Sequence, residues 1–215
     1  TISAWGNATF GGSGEPTDNG YTSITGNVNG YSAMKADGSI TYWGSTPASN
    51  TAPPTDNGYT SIVSSTNAFA ALKSNGSITT WGDNTQGGSG APTDIGYTKI
   101  YSNQRAFAAM KSDGSITAWG NSAFGGSGAP TDIGYVAIVA NSDAFAAIKS
   151  DGSITVWGDG SRGGSGAPTD MGYTAIEGSY YAYAALNADG TISAWGNATF
   201  GGSGEPTDNG YTSIT

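Results

Sequence analysis

The sequence predicts an all-β array of repeated sheets, and three observations carry that prediction. First, landmarks recur every 38 residues with no insertion or deletion: Trp5, Trp43, Trp81, Trp119, Trp157 and Trp195, each followed by glycine. The Pro-Thr-Asp triplets starting at Pro16, Pro54, Pro92, Pro130, Pro168 and Pro206 keep the same beat. A fixed period of roughly 20–50 residues marks a repeat architecture. Second, each unit holds short runs of β-formers between turn signals, without helical periodicity. Third, glycine supplies 36 of 215 residues, well above the roughly 7% of an average chain, which opposes long helices.

The third copy shows the elements in order. Tyr97-Thr98-Lys99-Ile100 is a first strand, and a turn of variable sequence follows. Phe107-Ala108-Ala109-Met110-Lys111 is a second, and Ser115-Ile116-Thr117-Ala118-Trp119 a third. Asp113-Gly114 between the last two is a hairpin signal, and a type I′ turn with φ > 0 at both residues is expected there. The other copies place Asp37-Gly38, Asn75-Gly76, Asp151-Gly152 and Asp189-Gly190 at this point. Each unit is therefore a three-stranded antiparallel meander, followed by a connector of the form Gly-Asn-x-x-x-Gly-Gly-Ser-Gly-x-Pro-Thr-Asp-x-Gly. The second copy departs from it, reading Ser45-Thr46-Pro47-Ala48-Ser49-Asn50.

Both faces of the second strand carry small or apolar groups, Phe107 and Ala109 on one and Ala108 and Met110 on the other. A sheet with one wet face alternates more cleanly. Small residues on both faces suit sheets stacked around an axis. The expected fold is a β-propeller of 38-residue, three- to four-stranded blades, with an open superhelical array of the same blades as the alternative.

Composition removes whole classes of function. With no His and no Cys, a Ser-His-Asp or Cys-His nucleophile, a Cys/His zinc site and a disulfide are excluded. A net charge of −9 repels DNA and RNA, and no basic stripe offsets it. No apolar run approaches the roughly 18 residues of a membrane span. No basic segment followed by an apolar stretch opens the chain, so any secretion signal is expected outside it.

The remaining chemical candidates have structural readings. Glu15/Asp18 and Glu205/Asp208 resemble carboxylate pairs of glycoside hydrolysis. Yet the Asp recurs in every Pro-Thr-Asp triplet, as a turn former bonding nearby backbone amides would. The Gly-Gly-Ser-Gly stretches lack the aspartate of calcium nonapeptides, the spacing of a nucleophile elbow and the lysine of a P-loop. Six tryptophans at one register read as inter-blade packing, each indole N–H bonded to a loop carbonyl. No metal, cofactor or catalysis is expected.

The unit Ala68-Phe69-Ala70-Ala71-Leu72-Lys73-Ser74-Asn75-Gly76, continuing through Trp81-Gly82 to Gly87-Gly88, resembles the RCC1-type repeat. Its joined Asp/Asn-Gly and Trp-Gly spacing covers the whole chain. The short unit and Pro-containing connector look most like the bacterial branch, the one that includes β-lactamase inhibitory proteins. The resemblance implies a β-propeller of non-catalytic, protein-binding character. It departs in two places. The family's His after the first strand is replaced by Phe or Tyr (Tyr31, Phe69, Phe107, Phe145, Tyr183), and its Gly-Gln-Leu-Gly by Gly-Gly-Ser-Gly. The nucleotide-exchange activity of the chromatin member therefore does not carry over.

Residues 1–25 are identical to residues 191–215, so five full repeats and a 25-residue partial copy make one array over 1–215. Thr1–Trp5 would serve as an outer strand, although the middle strand it must pair with is missing after Thr215, and open strand edges favour association. The copies differ most at the turn between first and second strands, as in Tyr101-Ser102-Asn103-Gln104-Arg105 and Glu177-Gly178-Ser179-Tyr180-Tyr181. Varied side chains on a constant frame read as a recognition surface, although drift of exposed turns produces the same pattern. The candidate binding residues are Asn27, Asn29, Tyr101, Gln104, Arg105, Ser142, Asp143, Tyr180 and Tyr181. The segments after Trp-Gly also vary, and Phe10, Phe124 and Phe200 are expected at repeat junctions or on a second contact face. Together these features suggest a scaffold from a secreted or surface bacterial protein that binds a protein or surface ligand. Self-association into a fibre is the competing reading, and an enzyme-inhibitor-like binder a third.

Overall fold

A computed structural model describes residues 1–45 and 50–215. Thr46-Pro47-Ala48-Ser49 of the divergent second connector lies outside the described residues. Five blades follow in chain order. The first holds β1 (Tyr21–Gly26), β2 (Gly30–Lys35) and β3 (Ile40–Gly44). The second holds β4 (Asn50–Thr51), β5 (Tyr59–Ser64), β6 (Ala68–Lys73) and β7 (Ile78–Asp83). The third holds β8 (Tyr97–Ser102), β9 (Ala106–Lys111) and β10 (Ile116–Gly120). The fourth holds β11 (Tyr135–Ala140), β12 (Ala144–Lys149) and β13 (Ile154–Gly158), and the fifth β14 (Tyr173–Gly178), β15 (Ala182–Asn187) and β16 (Ile192–Gly196). Each sheet is an antiparallel meander. The second gains an edge where Asn50 and Thr51 pair with Asp83 and Gly82. The three strands expected in each of the five meanders are present, the first two lengthened by a residue or two toward the variable turn.

The hairpin turn is not of the expected type. No residue other than glycine has positive φ among the described residues, so Asp113 does not enter the left-handed region. Instead Gly114 N–H donates to Lys111 O at 3.0 Å, and Lys111 N–H donates to Ser115 O at 3.0 Å. This is a three-residue loop closed by a left-handed glycine, Gly114 at φ +77°. Asp113 keeps its ordinary backbone because its carboxylate already accepts from Ser115 N–H at 2.9 Å. A Cβ on Gly114 would stand 2.3 Å from Tyr135 N, so the next blade closes directly on this turn.

Packing follows from the two-faced second strand. Ala68, Ala70 and Leu72 of β6 meet Tyr97, Ile100, Phe107, Ala109 and Trp119 of the third blade. Ala106 and Ala108 then meet Tyr135, Ile138, Phe145, Ala147 and Trp157 of the fourth. Small residues on one face thus receive the aromatics of the next sheet. Those aromatics are pre-assembled: Phe107 and Trp119 are cross-strand partners whose rings stack at 5.3 Å, and Phe145 and Trp157 stack at 5.2 Å.

The indoles then tie each blade to the connector before it. Trp43, Trp119, Trp157 and Trp195 donate to the carbonyls of Gly11, Gly87, Gly125 and Gly163, at 3.0–3.2 Å. For Trp81 the matching position is Ser49, and its indole has no partner among the described residues.

The Pro-Thr-Asp carboxylates reach beyond their own turn to side chains of the blade. Asp94 accepts from Tyr97 Oη at 3.0 Å and ion-pairs with Lys111, so the triplet anchors the first strand to the second. Neither Thr1–Trp5 nor Tyr211–Thr215 forms a strand. Trp5 is consequently 83% exposed. Among the described residues no helix is long and apolar enough to cross a membrane.

Candidate functional site

Three turn positions follow each first strand, and each has a separate task. The first is a backbone clamp. Asn103 Oδ1 accepts from Arg105 N–H at 2.9 Å and Ala106 N–H at 2.8 Å, while its Nδ2 donates to Phe124 O at 2.6 Å. Asn141 does the same with Asp143, Ala144 and Arg162. Ser65 and Ser179 reach the equivalent connector carbonyls, Gln86 O and Phe200 O, through their hydroxyls. A short polar side chain at this point satisfies the turn amides and pins the connector beneath it.

The second position forms a ladder. Val28 N–H donates to Thr66 O, Thr66 to Gln104, Gln104 to Ser142 and Ser142 to Tyr180, at 2.9–3.3 Å. One backbone hydrogen bond per blade therefore aligns five residues that are 38 apart in sequence. They are also five different residue types: Val, Thr, Gln, Ser and Tyr. A position that differs in every complete copy thus sits on a regular inter-blade contact.

The third position faces the connector. Asn29 Nδ2 donates to Asn67 Oδ1 at 3.0 Å. The Arg105 guanidinium lies 4.5 Å from the Phe124 ring centre. Arg162 lies 4.2 Å from the Tyr181 ring centre and ion-pairs with Asp143. Tyr181 in turn meets Tyr180 at 4.3 Å and Phe200 edge-on at 4.8 Å. Both arginines of the chain thus sit beside aromatic rings at this end of the sheets.

The sequence-expected residues divide accordingly. Arg105 and Tyr180 are exposed, and Gln104, Tyr181, Asn27 and Asn29 are half-buried. Asn27 Oδ1 is committed to its own turn, accepting from Asn29 and Gly30 N–H. Tyr101 packs against the core between the third and fourth blades. Ser142 and Asp143 are buried, Asp143 to 1% exposure, and so do not stand on the accessible surface. Phe124 and Phe200, expected at junctions or on a separate face, join the turn surface because the clamps draw the connectors to it. Arg162 belongs to the same surface, although sequence reasoning placed it only in a variable connector. A second feature had a readable signal that was passed over. The spacer of Pro-Thr-Asp-x-Gly is Asn at 19, 57 and 209 but Ile95, Ile133 and Met171 in consecutive copies.

No family model matches the chain, and no curated protein matches it in sequence. Solved structures do. The ectodomain of the Physcomitrella patens receptor kinase CR4 is similar over 82% of this chain and 50% of its own, at 20% identity and a TM-score of 0.57. The CRINKLY WD40 ectodomain of the Arabidopsis thaliana receptor kinase ACR4 covers 82% and 63%, at 19% identity and 0.54. Prp20p of Saccharomyces cerevisiae, described with its binding to Gsp1p and histones, covers 82% and 57%, at 15% identity and 0.54. The chain thus spans between half and two-thirds of the length of each. Likeness at this identity concerns the backbone alone, that of a repeat β-propeller, with five blades among the described residues.

Proposed function

We propose that this chain is a non-catalytic recognition scaffold, whose variable turns bind a protein partner through the Arg105, Tyr180 and Tyr181 surface. The observation that carries the reading is the inter-blade ladder. It holds Val28, Thr66, Gln104, Ser142 and Tyr180 in one line on a fixed backbone, so side chains there change without changing the fold. Exposed Tyr and Arg beside Phe124 and Phe200 supply amphipathic groups of the kind that dominate binding energy. Protein binding by Prp20p and the receptor origin of two similar ectodomains agree with this use of the fold. A surface poor in charge, at 11% of residues, suits an extracellular, adhesive setting, and the bacterial RCC1-like resemblance adds secretion to that reading.

The test is selection of displayed peptides on the wild-type protein, followed by affinity measurement on a Tyr180→Ala/Tyr181→Ala/Arg105→Ala variant. Loss of at least tenfold in affinity supports the turn surface. Unchanged affinity refutes it. Light scattering on the same variant addresses the fibre reading, since self-association through strand edges would survive these substitutions.

A further inference from the structure

In four of the five complete blades a lysine fills the same seat. Lys35, Lys73, Lys111 and Lys149 ion-pair with Asp18, Asp56, Asp94 and Asp132 of the Pro-Thr-Asp triplets. Each ammonium also lies over the tyrosine that opens its blade, 4.8–5.1 Å from the ring centre. A carboxylate and an aromatic face thus converge on one cation, two attractions that reinforce each other.

The fifth blade keeps the walls of this seat and changes its occupant. Tyr173 Oη donates to Asp170 Oδ1 at 3.0 Å and lies 2.7 Å from Ser193 Oγ, as its counterparts do in their blades. The lysine position is Asn187, whose Nδ2 donates to Met171 O at 3.1 Å. An amide carries no charge, but as the cross-strand partner of Tyr173, itself only 5% exposed, Asn187 must be displaced before a cation reaches that ring. Among the described residues Asp170 has no cationic partner, and the Tyr173 ring no cation above it.

The approach to this seat is apolar. Ile95, Ile133 and Met171 occupy one register of three consecutive blades and are 59–63% exposed. The first two blades have Asn19 and Asn57 there. Val136, 56% exposed, stands where the other four complete blades have threonine. The row ends beside Asp170.

We propose that Asp170 and Tyr173 bind a lysine side chain of a partner polypeptide, whose neighbouring apolar residues pack along Met171, Ile133 and Ile95. The occupant follows from the four filled copies, each of which holds a lysine between the same two groups. It also follows from charge, because a chain of net charge −9 with an uncompensated carboxylate attracts a cationic segment and repels an anionic lipid surface. Tyr173 opens β14, whereas the variable turn follows its other end at Gly178. This surface is therefore separate from the turn surface, and either can fail without the other.

The test is an NMR titration with acetyl-Leu-Lys-Leu-amide, against the same peptide carrying norleucine for lysine. Saturable shifts at Tyr173, the Asn187 side-chain amide and the Met171 methyl are expected with the lysine peptide. The norleucine peptide is expected to bind at least tenfold more weakly. Asn187→Lys should abolish the response by supplying the intramolecular lysine, with no loss in Tm, and Asp170→Asn should abolish it by removing the carboxylate. The proposal is overturned by unsaturable shifts, by an equal response to norleucine, or by an undiminished response in N187K. Shifts at these residues produced instead by phosphatidylcholine vesicles would assign the apolar row to a lipid surface and overturn it as well.

Discussion

Gln104 and Tyr180 are 76 residues and two blades apart, yet Gln104 Nε2 donates to Tyr180 Oη at 3.0 Å. Ser142, the ladder residue between them, makes this possible by being short. Its hydroxyl turns back to Tyr180 O at 2.6 Å, leaving the longer side chains to meet over it. A hydrogen bond at a partly exposed site contributes about 0.5–1.5 kcal/mol. Gln104→Leu and Tyr180→Phe should each cost no more than about that, and the double substitution no more than the larger single cost. A double-mutant cycle by urea unfolding checks this. Additive losses would mean that the two side chains do not interact in solution.

The indole hydrogen bonds offer an internal control. Trp119 and Trp81 are both buried and both stack on a phenylalanine at 5.3 Å, but only Trp119 has an acceptor among the described residues, Gly87 O. Replacing either by Phe removes similar volume. Trp119→Phe also strands a buried carbonyl, which costs about 1–3 kcal/mol. Trp119→Phe should therefore be the more destabilising of the two by about that margin in urea unfolding. Equal losses would show that the indole bonds contribute nothing net.

The repeat was legible because its period never slips, so every copy confirmed the strands of the others. Trp packing and the carbonyl partners of the indoles were readable for the same reason. What the period hid were the uses of single positions. The Asp113-Gly114 dipeptide signals a hairpin without fixing whether one or both residues go left-handed. The bond from the Ser115 amide to the Asp113 carboxylate and the closeness of Tyr135 decided it. Asp143 looked like an exposed anchor because its turn varies, but Arg162, 19 residues later, draws it inside. Such a pairing depends on how the connector folds back, which no local pattern encodes. The Lys-to-Asn change at Asn187 was visible in the sequence, but its meaning needed the Asp–Tyr–Lys seat to be seen filled elsewhere.

The same seats fix the response to pH. Hydrogen bonds from Lys35, Lys73, Lys111 and Lys149 hold Asp18, Asp56, Asp94 and Asp132 below the ordinary 3.8. Bonds from the Ser39, Ser115 and Ser153 amides lower Asp37, Asp113 and Asp151, and the Thr191 hydroxyl lowers Asp189. A depressed carboxyl contributes stability that is fully present above its unfolded value and is lost as pH falls through its folded value. The four lysines are raised above 10.5 by their aspartates, so their contribution is lost only as pH rises through the folded value. Burial also raises Tyr59, Tyr97, Tyr135 and Tyr173 above 10.0, so with no His to titrate between, Tm should be flat from about pH 5 to 9 and fall below 3.8 and above 10.0. Thermal unfolding across that range checks it. A decline already between pH 7 and 5 would show that groups other than these pairs control acid stability.

Asp143 is the chain's most deeply buried carboxylate among the described residues, 1% exposed, and its Oδ2 is held by Arg162. Removing one partner of a buried pair costs about 3–5 kcal/mol, chiefly because the other charge is left unpaired. The Arg162 side chain is 34% exposed, so Arg162→Met should destabilise by less than a fully buried pair would, through the charge left on Asp143. Asp143→Asn in the same chain should recover most of that loss, since an uncharged amide no longer needs the guanidinium. Arg162 also lies over the Tyr181 ring, so the single and double variants should both weaken any partner held by Tyr180 and Tyr181, although only the single one is unstable. Urea unfolding and peptide affinity measured on the same pair of variants separate the two effects. If stability and affinity recover together in the double variant, the arginine acts only by neutralising Asp143, and its contact with Tyr181 has no part in recognition.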